Sequence, residues 1–212
     1  MTSRLHGLYA ITDPMLIPDQ RLLPAAQAAL RGGARLLQYR DKPASAMQRL
    51  ERAGRLAALC RQYGALFIVN DDPALAQAVN ADGVHMGQSD GAVPAARALL
   101  GADKIIGVSC HGDLALAAKG AAEGADYLAL GRFYPSHTKP KAPPVTLDTL
   151  REARDRFTQP LVAIGGVTAD NAQPLIDAGA DMVALIHGLF ATADCDEIEV
   201  RARQLSRLFP VR

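Results

Sequence analysis

The feature that most constrains this chain is a phrase that recurs along it: a helical stretch of small residues, then glycine, alanine and a polar residue, then a short apolar run. It reads "RGGARLLQYR" from Arg31, "EGADYLALGR" from Glu123 and "AGADMVALIHG" from Ala178, with "NADGVHMGQ" from Asn80 as a looser copy. Glycine after a helix suits a left-handed cap, and an unbroken apolar run suits a strand buried on both faces. Each phrase therefore reads as helix, turn, strand, the junction of a βα repeat.

Eight apolar runs fit such strands, near residues 8–11, 36–39, 66–69, 84–86, 105–108, 127–130, 161–164 and 182–186. Between them lie alanine-rich or amphipathic stretches of helical length, such as 46–62, 114–123 and 147–156. Strands apolar on both faces imply a parallel sheet covered by helices, and eight such units imply a compact α/β fold, the (β/α)8 TIM barrel. The alternative is an open doubly wound sheet, but no GxGxxG follows the first strand. With no Ser- or Pro-rich linker to divide it, 1–212 reads as one domain.

Composition narrows the class of partner. Lys and Arg number 23 against 22 Asp and Glu, so there is no global electrostatic case for nucleic acid or membrane binding. No apolar run approaches the roughly 20 residues of a membrane span, and "MTSRLHGLYAITDP" carries no signal-peptide core. Cys60, Cys110 and Cys195 have no CxxC spacing, which argues against a disulfide framework or zinc site and for a reducing cytoplasm. The expected partners are small phosphorylated molecules, and a homo-oligomer is compatible with the sequence.

A barrel of this kind places its chemistry at the carboxyl ends of its strands. Strand two ends in Gln38-Tyr39-Arg40-Asp41-Lys42, strand three in Asn70-Asp71-Asp72, strand four in Gln88-Ser89-Asp90 and strand five in Ser109-Cys110-His111. Strand six runs into "GRFYPSHTKPKAPP", long enough for a lid. Strand seven ends in Gly165-Gly166 and strand eight in His187-Gly188, whereas the opposite ends carry Gly-Ala-Asp turns. This asymmetry points to an enzyme.

Asp71 and Asp90 on neighbouring strands could share one Mg2+, a cation typically held by one or two carboxylates with waters and phosphate oxygens. Asp72 before Pro73 reads as a helix cap instead. Arg40, Lys42 and Lys139 bring cations to the same mouth, and with a metal they suit a diphosphate. Gly165-Gly166, with Thr168 expected at a helix start, suits a second phosphate near strands seven and eight. His6 and His85 read as structural, His111 and His137 as loop residues near the mouth, and His187 as a backbone donor. No zinc spacing or Ser-His-Asp arrangement stands out. Two phosphorylated partners across one barrel suggest a transferase that expels pyrophosphate.

The phrases "LYAITDP", "QYRDK", "IVNDDPALA", "ADGVHMGQSD", "GVSCH", "GADYLALGRFYPSHTK", "AIGGVTADN" and "AGADMVALI", in this order and nearly end to end, resemble the thiamine-phosphate synthase family. The resemblance implies condensation of hydroxymethylpyrimidine diphosphate with a thiazole phosphate to give thiamine phosphate and pyrophosphate, through a methylene cation. It implies that Gln38, Tyr39, Arg40, Asp41, Lys42, Asn70, Ser109 and Lys139 bind the pyrimidine diphosphate. Arg40, Lys42, Ser109 and Lys139 would be the catalytic residues among them. Ser136, His137, Thr138, Gly166, Ile186 and His187 would meet the thiazole phosphate, and Asp71 and Asp90 would ligate Mg2+. Departures from the family pattern are His187 where Ser is frequent, Ser136 where Thr is common, and Arg132 where Pro is frequent. A thiazole tautomerase on the same barrel, or a silent sensor of a thiamine precursor, are the rival readings. The charged mouth speaks against both, and the absence of a lysine inside any strand speaks against a Schiff-base aldolase.

Overall fold

The protein is described from a computed structural model that covers residues 4–136 and 143–209. Eight parallel strands follow one another around a closed barrel. They are β1 (Gly7–Ile11), β2 (Leu36–Tyr39), β3 (Leu66–Asn70), β4 (Gly83–Met86), β5 (Ile105–His111), β6 (Tyr127–Leu130), β7 (Leu161–Ile164) and β8 (Met182–Leu185). Closure is made by β8 pairing with β1, Gly7 opposite Met182 and Ala10 opposite Leu185.

Around the barrel run α1 (Asp19–Arg31), α2 (Ala46–Tyr63), α3 (Pro73–Ala78), α4 (Val93–Leu100) and α5 (Leu114–Ala122). The ring continues with α6 (Leu147–Arg156), α7 (Gln173–Asp177), α8 (His187–Phe190) and α9 (Cys195–Ser206). The longest, α2, opens with a capping box in which Ser45 Oγ accepts from Gln48 N–H and Gln48 Oε1 accepts from Ser45 N–H. It closes on Gly64 at φ +65°, a left-handed cap. Asp72 caps α3 by accepting the Leu75 N–H at 2.9 Å, as its position before Pro73 predicts. Among the described residues no helix is long and apolar enough to cross a membrane.

Strand alternation sorts the apolar residues into two cores. Leu36, Leu66, Ile68, Ile105, Val162 and Met182 point into the barrel. Leu8, Leu37, Phe67, Ile106, Leu128 and Val183 point outward, against the helices.

The repeated phrase explains the lower rim. Its glycines, Gly33, Gly124 and Gly179, have φ of +100°, +89° and +105°, so the chain turns there without a Cβ penalty. Its aspartates then reach sideways: Asp82, Asp126 and Asp181 accept N–H groups at the start of the preceding strands, from the second residues Phe67 and Ile106 and the first residue Leu161, at 2.8, 2.8 and 2.9 Å. Asp126 and Asp181 also pair with Arg97 and Arg154. These carboxylates satisfy strand ends that would otherwise lack partners, so this rim serves stability.

Three expectations are corrected. β5 runs on to His111, with a register shift between Ser109 and His111 that re-aims the strand's end. Thr168 does not start a helix: residues 167–172 form a turn in which Thr168 N–H donates to Asn171 Oδ1 at 2.8 Å, and α7 begins at Gln173. β8 ends at Leu185 because Ile186 leaves strand geometry to cap the four-residue α8.

Asp126→Ala deletes the acceptor for Ile106 N–H and the partner of Arg97. We expect it to lower stability by about 2 kcal/mol, read as a reduced urea midpoint with an unchanged slope. A midpoint equal to wild type would contradict the stabilising role assigned to this rim.

Candidate functional site

The carboxyl ends of the strands surround a cavity of about 610 Å³. Its size falls within the range of pockets that enclose small ligands. The residues expected to bind ligand converge on it: Gln38, Arg40, Lys42, Asn70, Asp71, Asp90 and Ser109 from one side, and Ser136, Gly166, Ile186 and His187 from the other. The two groups face each other because β2–β4 and β7–β8 lie on opposite arcs of the ring.

Tyr39 and Asp41 do not join them. Gln38 points inward, so its neighbour Tyr39 points outward into the helix layer. There the Tyr39 hydroxyl donates to Asp41 Oδ2 at 3.2 Å, and Arg52 Nη1 lies 2.8 Å from the same oxygen. Arg52 also pairs with Asp19 at 2.9 Å. Burial, reinforced by the Asp41 charge, raises the Tyr39 phenol above its ordinary range. Both residues belong to a separate crevice of about 170 Å³ beside α1 and α2. His137, Thr138 and Lys139 lie outside the described residues.

On the charged side, Arg40 is fixed before any ligand arrives. Its Nη1 lies 3.1 Å from Asp13 Oδ2, and its backbone N–H donates to Thr12 Oγ1 at 3.0 Å. Asp71 has a left-handed backbone, φ +62°, which turns its carboxylate out of the strand line. Lys42 Nζ sits 2.9 Å from Asp71 Oδ2. Burial pushes the Asp71 carboxyl up, but hydrogen bonds with Lys42, Asp90 and Asn70, and the Lys42 charge, outweigh it and hold the group below its ordinary value. Asp90 is anchored by Gly87 N–H, which donates to its Oδ2 at 2.8 Å.

This donor set fits a hard divalent cation. Two carboxylates adjoin in the loops after β3 and β4, one is held ionised, and a lysine cation already rests against it. Among the described residues no cluster of three His, Cys, Asp or Glu could hold a metal. A cation here would complete its shell with water and ligand oxygens, the habit of Mg2+.

The opposite side is built from tight backbone. A Cβ on Gly166, at φ +67°, would stand 2.3 Å from Pro135 O, and one on Gly165 would stand 2.3 Å from Arg132 Cβ. Only glycine lets the strand-seven loop lie against the strand-six loop this closely. Asn171 Nδ2 donates to Gly166 O at 3.0 Å and pins the turn.

The cavity floor holds residues that composition did not single out. Gln38 Nε2 donates to Tyr9 Oη at 2.7 Å, and Tyr9 Oη lies 2.9 Å from Tyr127 Oη. Tyr127 Oη lies 2.9 Å from His85 Nδ1, and His85 Nε2 lies 2.9 Å from Ser109 Oγ. His85, expected to be structural, therefore lines the cavity and touches an expected site residue. The signal was present in the strand alternation, since Val84 and Met86 point outward and leave His85 inward. Burial drives the Tyr9 and Tyr127 hydroxyls above their ordinary range, which keeps both neutral. Burial likewise pushes the Cys110 thiol up to about 12, so it supplies no thiolate nucleophile.

Known proteins resemble this chain closely. The sequence family described as "Thiamine monophosphate synthase" matches residues 8–189. A thiamine-phosphate synthase of Alcanivorax borkumensis is 68% identical over 206 residues, covering 97% of this chain and 95% of its own. Another, of Thioalkalivibrio sulfidiphilus, is 52% identical over 208 residues, covering 98% and 97%. The solved structure of thiamine phosphate pyrophosphorylase from Pyrococcus furiosus superposes with a TM-score of 0.87 at 33% identity, covering 97% of this chain and 96% of that one.

Asp41→Asn is expected to weaken the Arg52 clamp and lower stability by about 2 kcal/mol, since the pair is largely buried. Affinity for inorganic pyrophosphate in the cavity should stay within about twofold of wild type, as one lost contact to a charged group would cost more. A selective loss of pyrophosphate affinity, measured by calorimetry, would return Asp41 to the binding set.

Proposed function

The chain belongs to the thiamine monophosphate synthase family, and from that premise we propose that it joins hydroxymethylpyrimidine diphosphate to a thiazole phosphate, with Mg2+, releasing pyrophosphate and thiamine phosphate. It is an enzyme, and thiamine biosynthesis is its setting. The observation that carries the substrate reading is the division of one cavity mouth into two facing polar arcs. One combines Arg40, Lys42 and Asn70 with two carboxylates, and the other is a glycine loop beside β8.

Arg40, held rigid by Asp13 and Thr12, offers its remaining N–H groups to the diphosphate. Lys42 exchanges its contact with Asp71 for one with a phosphate oxygen. Asn70, Gln38 and Ser109 hold the pyrimidine end, and Lys139, outside the described residues, would meet the leaving group. Asp71 and Asp90 would hold Mg2+, which when bound neutralises charge on the diphosphate. Ser136, His137, Thr138, Gly166, Ile186 and His187 would receive the thiazole phosphate.

The carbon–oxygen bond breaks with its electron pair leaving on pyrophosphate. The amino group of the pyrimidine feeds electrons to the methylene carbon, and the lone pair of the thiazole nitrogen then forms the new carbon–nitrogen bond. No proton leaves either reacting atom, so the chemistry calls for charge stabilisation and positioning rather than a general base. That requirement agrees with a mouth that carries the fixed Arg40 and the nearby Lys42, and with a buried, protonated Cys110. The free cysteines support a reducing cytoplasm as the compartment. As partners we propose only the two small substrates, neither nucleic acid nor membrane.

Purified protein given both substrates and Mg2+ should form thiamine phosphate, detected as thiochrome fluorescence after oxidation. The signal should require each substrate, vanish with EDTA and return with added Mg2+; none from folded protein would overturn the synthase reading. Asp71→Ala should cut this turnover by about a hundredfold or more with an unchanged circular dichroism spectrum, and full activity would remove the proposed metal site. Lys139→Ala should slow the single-turnover step by about tenfold or more; an unchanged rate would take it out of the leaving-group contact.

A further inference from the structure

The chain of contacts across the cavity floor has a direction. Gln38 is buried, and its amide nitrogen can only donate, so Tyr9 Oη accepts from it at 2.7 Å. Tyr9 is buried in turn, and its other hydrogen-bond partner among the described residues is Tyr127 Oη at 2.9 Å. The Tyr9 proton therefore goes to Tyr127. Tyr127, having accepted, spends its own proton on its second partner, His85 Nδ1 at 2.9 Å. An imidazole that accepts at Nδ1 carries its proton on Nε2, and Nε2 stands 2.9 Å from Ser109 Oγ. Ser109 Oγ is thus an acceptor on its floor side, and its hydroxyl proton is left to point into the cavity it lines.

We propose that Gln38, Tyr9, Tyr127 and His85 form a one-way hydrogen-bond relay that holds His85 as the Nε2–H tautomer and turns the Ser109 hydroxyl into a donor toward the ligand. His85 and Tyr127 are positioning residues that act through Ser109. Packing favours the arrangement: the Tyr127 ring lies over Gly107, where a Cβ would come within 1.9 Å of its Cζ, and it stacks on His85 at 5.6 Å between centroids. Buried hydroxyls whose partners are all taken have one low-energy proton order, because reversing any link strands a proton without an acceptor. The relay would select for a hydrogen-bond acceptor at the Ser109 position of the ligand. On the reading given under Proposed function, that acceptor belongs to the pyrimidine diphosphate.

The test has a spectroscopic arm that needs no substrate. In ¹⁵N-histidine-labelled protein, the His85 ring, assigned by its loss in His85→Gln, should show a protonated Nε2 and an unprotonated Nδ1. A protonated Nδ1, or a ring protonated on both nitrogens, would overturn the relay. In Tyr127→Phe, which keeps the ring and its packing, the Nδ1–H form should appear. The kinetic arm is a double-mutant cycle. Tyr127→Phe should lower kcat/KM roughly fivefold, the size of one neutral hydrogen bond, and the double variant with Ser109→Ala should be no worse than Ser109→Ala alone. Losses that multiply would show that Tyr127 does not act through Ser109. Wild-type protein that forms no thiamine phosphate would sink the functional reading alone, because the tautomer is still read directly.

Discussion

Everything at the site follows from the side-chain alternation of a closed parallel barrel. Each strand sends every second residue into the ring, so an inward polar side chain finds its partners there or in the cavity that opens at the carboxyl ends. The lower interior meets this condition with leucine, isoleucine and methionine. The upper interior meets it with a connected set, Gln38, Tyr9, Tyr127, His85 and Ser109, whose contacts join four other strands to β2. Because those contacts link five strands, they fix the floor of the cavity before a ligand enters, which is the preorganisation that positional catalysis needs.

The mouth above this floor is organised by charges that restrain one another. Asp13 holds Arg40, Lys42 rests against Asp71, and Gly87 N–H anchors Asp90. On the far arc a glycine loop and the turn pinned by Asn171 bring backbone to the cavity, with Arg132 beside them. The proposed division of labour uses this contrast: metal and fixed cations for a diphosphate, backbone and small polar groups for a single phosphate. The lower rim repeats one device three times, an aspartate that accepts an N–H at the start of the preceding strand. It therefore carries stability while the upper rim is left to carry function.

Much of this was legible in the sequence because it rests on local rules. The repeated Gly-Ala phrase located three of the strands, and the polar residues that end the strands located the mouth. Asp72 before Pro73 read as the cap it is. Where the structure departs from the expected binding set, at Tyr39 and Asp41, the reason is the alternation of faces. Gln38 and Tyr39 are adjacent, so only one can point inward, and grouping "QYRDK" as a single binding stretch ignored that alternation. The same count would have brought His85 into the cavity. The Tyr9–Tyr127 contact spans 118 residues, so no local pattern reveals it. The four-residue α8 was missed because one turn is too short to show helical periodicity.

The measurement that bears most directly on the account is a crystal structure with Mn2+ in place of Mg2+ and inorganic pyrophosphate. Its anomalous difference map would locate the metal. The account predicts one peak within coordination distance of both Asp71 and Asp90, about 2.1 Å, with pyrophosphate oxygens completing the shell and Lys42 moved from Asp71 onto the anion. Pyrophosphate bound beside Arg40 with the metal elsewhere, or with none, would contradict it.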